Sequence, residues 1–168
     1  YAYIYLYVAA FFLGCAGLMR QAVETAGEMQ PFSNCPVILI DAGHGGPDGG
    51  TTGYAGTPED RINLEISIRL EDLLRFLGLE TVMIRTTDTS VHTKEGTIAQ
   101  IKVSDLKERV RIVNETEGAF LLSIHQNSFP ESRYAGAQVF YSKTQKSYEL
   151  AKALQSALAS TLNPGSNR

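Results

Sequence analysis

Short continuous apolar runs alternate along this chain with longer stretches whose apolar residues recur at spacings of three and four, and that alternation predicts strands followed by helices. Val37 to Asp41 reads as a strand buried on both faces, as in a parallel sheet. Ile62, Ile66, Leu70, Leu73, Leu74 and Leu77 mark one face of an amphipathic helix, with Arg61, Glu65, Arg69 and Asp72 elsewhere around it. Thr57-Pro58-Glu59-Asp60 is its start signal and Gly78 its stop. Leu79 to Ile84 resumes as a second strand, completing a βαβ unit. Leu106, Val110 and Val113 place a second helix over 105–117 with Ser104 as its cap, and Phe120 to Ile124 is a third strand. Gly136 to Tyr141 alternates as a fourth strand, and Leu150, Leu154, Leu158 and Leu162 mark a last helix. The expected fold is a single α/β domain over 37–168, a mostly parallel twisted sheet with helices on both faces.

Two polar segments break the pattern. The glycine-rich stretch 43–56 lacks the Gly-Lys-Ser/Thr ending of a nucleotide loop, so its glycines are read as letting backbone turn tightly beside a ligand. Arg85 to Ser104 is threonine-rich and long for a connection inside one domain. It is expected to be a functional rim or a mobile segment, and a plain surface loop fits it equally well.

Residues 1–19 carry no charged side chain, and as a helix at about 1.5 Å per residue they would span roughly the hydrocarbon core of a bilayer. Tyr1, Tyr3, Tyr5 and Tyr7 resemble an interfacial aromatic belt, and Arg20 closes the other end. A transmembrane anchor or signal over 1–20 is expected, with a tether over 21–36. Alternating tyrosines also suit a buried strand. A net charge of -3 with no basic cluster excludes a nucleic-acid footprint. Cys15 and Cys35 make no disulfide framework and have no metal-site spacing.

Chemistry concentrates at the strand ends. His44 follows the first strand in Asp41-Ala42-Gly43-His44, His125 closes the third in Ser123-Ile124-His125, and Glu59 sits at a helix start. All three can converge at the carboxyl edge of one sheet, where α/β folds place ligands. Two imidazoles and a carboxylate suit a catalytic zinc site with an open position. Each also has a plain explanation: a carboxylate in a first helical turn is favourable by about 0.3–1 kcal/mol without any metal. A lone histidine beside glycines is often a turn residue, and His92 is read as a solvated side chain.

The run Val37-Ile38-Leu39-Ile40-Asp41-Ala42-Gly43-His44-Gly45-Gly46 is followed by Glu59-x-x-x-Asn63-Leu64, Arg85-x-x-Asp88, Leu106-x-x-Arg109 and Ser123-Ile124-His125-x-Asn127. In that order these resemble the zinc-dependent N-acetylmuramoyl-L-alanine amidases. Gly46-Pro47-Asp48-Gly49-Gly50, Lys102-Val103-Ser104-Asp105-Leu106 and Gly136-Ala137-Gln138-Val139-Phe140-Tyr141 are most similar to the germination-specific amidases of spore cortex. The resemblance implies His44, Glu59 and His125 as zinc ligands, with Asp41 and Asn127 supporting them from outside. It implies hydrolysis of the amide joining the lactyl group of N-acetylmuramic acid to L-alanine in peptidoglycan, on the extracytoplasmic side of the membrane. A protein partner is expected to use the loop 85–104.

The family's general-base glutamate lies in a Val-Glu-x-Gly-Phe type motif after the Asn-Arg seen here at Asn167-Arg168, and no such motif occurs in the chain. The catalytic base is thus unassigned. The expectation is a carboxyl-terminally incomplete catalytic domain, active as the full-length product and weakly active or inactive as this chain. The competing expectation is a metal-binding but catalytically silent wall- or partner-binding module.

Overall fold

The strands predicted at Val37–Asp41, Leu79–Ile84 and Phe120–Ile124 pair side by side in a parallel sheet. In this computed structural model, which describes residues 36–127 and 136–162, they are β1 (Ile38–Ala42), β2 (Thr81–Met83) and β3 (Phe120–Ile124), in the order β2-β1-β3. β1 is central, with Ile38 opposite Thr81 on one side and Phe120 on the other. Leu39, Ile40 and Ala42 are fully buried, as a strand flanked by two neighbours and covered on both faces must be. The described residues form two compact units that divide after Gln126, and the sheet belongs to the first.

Helix α1 (Glu59–Phe76) begins where the sequence places it. Its N-cap, Pro58, has no side-chain acceptor, and loop carbonyls serve instead: Glu59 N donates to Thr51 O at 2.8 Å and Asp60 N to Gly49 O at 3.2 Å. Gly78, at φ +80°, ends the helix; Gly78 N bonds Arg75 O and Leu79 N bonds Leu74 O. That pair of bonds satisfies the last carbonyls, and the left-handed residue it needs is glycine.

The buried stripe of α1 corrects the sequence expectation. Glu59, Asp60, Asn63 and Ser67 are buried, whereas Ile66, Leu73 and Leu77, expected against the sheet, are exposed. Residues four apart share a face, so drawing Glu59 and Asn63 inward carries Ser67 with them and rotates part of the leucine row outward. Leu70 and Leu74 stay half-buried on the edge of that stripe.

Helix α2 (Ile98–Glu115) starts earlier than expected, at Ile98 rather than Asp105. Thr97 and Gln100 form a capping box: Gln100 N donates to Thr97 Oγ1, and Thr97 N donates to Gln100 Oε1 at 2.9 Å. Ser104 is therefore not a cap but a buried mid-helix residue, and its hydroxyl accepts from Thr93 N and Lys94 N at 3.1 Å each. The irregular segment is correspondingly shorter than Arg85 to Ser104. Leu106, Val110 and Val113 of α2, with Ile84 and Leu121, line an open groove of about 480 Å³ on the sheet face that carries Asp41 and Ser123. No α1 residue lines that groove; α1 contacts all three strands and packs the other face.

In the second unit, helix α3 (Gln145–Leu162) matches the leucine row. The expected strand over Gly136–Tyr141 is a correction: 137–142 joins no ladder among the described residues. Alternation alone does not make a strand, and here the side-chain amide of Gln155 takes the backbone groups, accepting from Val139 N at 2.8 Å and donating to Ala137 O at 3.1 Å. The expected anchor over 1–20 and tether over 21–36 fall on or run into undescribed residues. Among the described residues no helix is long and apolar enough to cross a membrane.

Candidate metal centre

β1 and β3 run parallel, so the chain leaves both at the same sheet edge, and Gly43 N extends the ladder to Ile124 O at 3.0 Å. His44 follows one strand and His125 the other. Their rings meet edge to face with centroids 4.9 Å apart. The first turn of α1 brings Glu59 between them: Oε1 lies 3.2 Å from His44 Nε2 and 3.0 Å from His125 Nδ1. One ligand atom from each of the three residues lies within 4.8 Å of the others. Tetrahedral zinc with bonds of about 2.0–2.2 Å sets ligand atoms roughly 3.4 Å apart, close to the two imidazole–carboxylate separations.

Hydrogen bonding in the cluster makes a cation the fitting occupant. Asp48 Oδ2 lies 3.0 Å from His44 Nδ1, and Lys102 Nζ braces Asp48 Oδ1 at 2.7 Å. A neutral imidazole has one N–H; spent on Asp48, it leaves the Nε2 lone pair facing the Glu59 carboxylate. Two lone pairs in opposition favour a positive ion between them. The carboxylate-held imidazole is the usual outer support of a metal-binding histidine. The structure brings Asp48 to His44 Nδ1, while Asp41, expected as an outer support of the ligands, bonds Arg109 and Ser123 Oγ. Asn127 is the first residue of the second unit, and its supporting role remains a proposal.

Glu59 is 3% exposed and held on both oxygens. Oε2 accepts from Thr51 N at 3.0 Å and Thr51 Oγ1 at 3.1 Å; Oε1 accepts from Gln126 N at 2.9 Å and Asn63 Nδ2 at 3.3 Å. Burial pushes its carboxyl up, but the bonds from Thr51, Gln126, Asn63 and His125 outweigh it and hold the pKa at about 2. Asp48 likewise, raised by burial but lowered more by Lys102, His44 and the Gly50 amide, is held at about 2. Both are anions at neutral pH. Glycine is required beside them: a Cβ on Gly50 would lie 2.7 Å from Glu59 Oε2 and 2.8 Å from His44 Cδ2. His125, at 47% exposed, marks the solvent side of the cluster.

The segment expected to be mobile or a contact rim is pinned to the glycine-rich loop. Asp88 Oδ1 accepts from Gly46 N at 2.8 Å, and a Cβ on Gly46 would lie 3.1 Å from Ser90 N. Asp105 takes Ser90 Oγ at 2.7 Å and Val91 N at 2.8 Å. His92, read as solvated, is largely covered and faces Ser90 Oγ at 2.9 Å.

Residues 38–168 match the N-acetylmuramoyl-L-alanine amidase family. This chain belongs to that family. It is 37% identical over 129 residues to the germination-specific N-acetylmuramoyl-L-alanine amidase of Bacillus subtilis, covering 75% of this chain and 54% of that protein. It is 34% identical over 120 residues to a putative N-acetylmuramoyl-L-alanine amidase of Buchnera aphidicola, covering 70% and 45%. The chain thus spans about half the length of these curated relatives. Its fold is similar to the CwlD amidase of Clostridioides difficile, solved in complex with the GerS lipoprotein, at TM-score 0.74 and 36% identity over 79% of this chain and 70% of that one. As a member of the amidase family, the chain has in His44, Glu59 and His125 a donor set able to hold a metal ion.

Sequence reasoning missed Asp48, Thr51, Lys102 and Gln126. Asn63 stood out only within the resemblance, four residues after Glu59 and therefore on the same helix face.

Proposed function

We propose that this chain carries the metal-binding part of a zinc-dependent N-acetylmuramoyl-L-alanine amidase, which hydrolyses the amide between the lactyl group of N-acetylmuramic acid and L-alanine in peptidoglycan. The observation that carries the reading is the meeting of His44, Glu59 and His125, from three separate elements, within 4.8 Å. Two nitrogens and one oxygen from a carboxylate are a donor set suited to zinc with a position left open. When bound, the zinc supplies a Lewis acid that polarises the scissile carbonyl and makes water a stronger nucleophile at neutral pH.

The protein's own part is orientation. Asp48 keeps the proton on His44 Nδ1 and so presents Nε2 inward, and Asn63, Thr51 and the Gln126 amide fix the Glu59 carboxylate as an anion. The half-exposed His125 leaves one side open to a polymeric substrate. Likeness to a germination-specific relative supports a role in spore cortex, on the extracytoplasmic face, and 37–168 is read as the catalytic domain. The uncharged run 1–19 supports 1–20 as an anchor, with 21–36 as tether. The CwlD structure, bound to a lipoprotein, supports a protein partner here too, with 85–104 as the proposed contact.

The test is digestion of purified muropeptides by the zinc-loaded chain, alone and extended at its carboxyl terminus with sequence from a relative, followed by mass spectrometry. Release of stem peptide bearing a free L-alanine amino group, lost on chelation and in His44→Ala, is expected in at least the extended form. Metal-loaded protein that binds peptidoglycan yet releases nothing in either form overturns the amidase reading and favours a silent wall-binding module.

A further inference from the structure

His44 is the one non-glycine with positive φ among the described residues, at 63°. An imidazole-bearing residue held left-handed is strained, so its surroundings must over-determine it. Two guanidinium groups do so. Arg85 Nε donates to Ala42 O at 2.7 Å and Nη2 to Gly43 O at 3.0 Å; Arg109 Nη1 donates to Ala42 O at 3.1 Å and Nη2 to His44 O at 2.7 Å. Every carbonyl oxygen between the end of β1 and the imidazole is therefore held by an arginine.

We propose that Arg85 and Arg109 are positioning residues for the metal centre: by gripping the carbonyls of Ala42, Gly43 and His44 they fix the turn that aims the His44 ring at Glu59. This rests on the metal-site reading above. Arg85 Nη2 also donates to Asp60 O at 2.8 Å, so one guanidinium joins the turn bearing His44 to the helical turn bearing Glu59. Arg109 is in turn clamped between Asp41 and Asp105, the latter at 2.6 Å. Positive charge beside a cation site opposes metal binding by itself. What these side chains contribute is their fork of directional donors, which the point charge of a lysine does not reproduce.

The experiment compares zinc affinity, by competition with a chromophoric chelator, and the visible absorption of the Co2+-loaded chain across wild type, Arg85→Lys, Arg109→Lys, His44→Ala and the exposed control Arg111→Lys. Circular dichroism checks each fold. The arginine variants are expected to bind zinc about ten- to a hundredfold more weakly and to shift the Co2+ bands while keeping helical content, and Arg111→Lys to match wild type. Should Arg109→Lys fail to fold, Asp105→Asn, which loosens Arg109 without removing it, is expected to weaken zinc binding in the same direction; should Arg85→Lys fail to fold, Arg85→Gln, which keeps a planar amide donor but cannot span Ala42, Gly43 and Asp60 together, is expected to do the same. Folded variants with zinc affinity within about twofold of wild type and unchanged Co2+ spectra overturn the proposal. A wild type that binds no zinc overturns the metal reading itself, whereas binding by wild type, its loss in His44→Ala and wild-type behaviour in the arginine variants overturns only the positioning role.

Discussion

Gly43→Ala is the sharpest perturbation that leaves every proposed ligand in place. A Cβ on Gly43 would stand 2.7 Å from His125 Nδ1 and closer still to Cε1 and Nε2. Non-bonded carbon contacts settle at about 3.5–4.0 Å, so the ring must retreat by at least about 0.8 Å. That is roughly four times the ±0.2 Å within which ligand distances in real metal sites fall. Since His125 is half-exposed, the ring can swing toward solvent without opening the core, and Gly43 is not among the positive-φ glycines that would add backbone strain. The loss should therefore appear chiefly in metal binding and only slightly in folding. Zinc affinity is expected to fall by at least about a hundredfold, the upper end of what disturbing an outer support costs, because here a ligand itself is displaced. Gly43 itself is buried and the displaced ring gives up its bond to Glu59, so apo stability in urea should fall by only about 1 kcal/mol, roughly one hydrogen bond. Paired titrations and urea curves make the assay. Unchanged zinc affinity in a folded Gly43→Ala protein would mean that His125 is not a ligand in this geometry.

Asn63 is fully buried and bonds Gly43 O, Glu59 Oε1 and the Gln126 side chain, so Asn63→Ala should cost about 2–3 kcal/mol at roughly 1 kcal/mol per lost bond, read as a lower urea midpoint with unchanged slope. Asp48→Asn should weaken zinc binding about ten- to a hundredfold in isothermal titration, and an unchanged affinity would remove Asp48 as the holder of His44 Nδ1. Glu59 and Asp48 are both held at about 2 when folded, below their ordinary values of 4.5 and 3.8, so the unfolded chain takes up protons first as the pH drops. The stability these groups contribute is thus full above their ordinary range and lost as pH falls from about 4.5 toward 2; flat apo stability across that window, measured by urea midpoints, would contradict it.

The strands and the three site residues were legible because their signals are local. Val37 to Ile40 is an unbroken apolar run and Phe120 to Ile124 one interrupted only by Ser123, and a residue just past such a run must emerge at the sheet's carboxyl edge. The orientation of α1 was not legible: its leucine row is the stronger periodic signal, yet tertiary hydrogen bonds to Glu59 and Asn63 decide which face turns inward. The start of α2 was written in Thr97-x-x-Gln100, a capping box hidden by reading the whole threonine-rich stretch as loop. Arg85 and Arg109 stood out in sequence only as members of a resemblance, because what they hold is backbone far along the chain. No ladder forms over 136–141 among the described residues, because alternation there says nothing about whether a partner strand exists.

X-ray absorption at the zinc edge of the loaded chain reports the donor atoms themselves, and so shows whether His44, Glu59 and His125 share one ion. The expected spectrum shows nitrogen and oxygen neighbours at about 2.0–2.2 Å with the multiple-scattering pattern of two imidazoles, reduced to one in His125→Ala. A shell containing sulfur at about 2.3 Å, or an imidazole count that His44→Ala and His125→Ala leave unchanged, would contradict it.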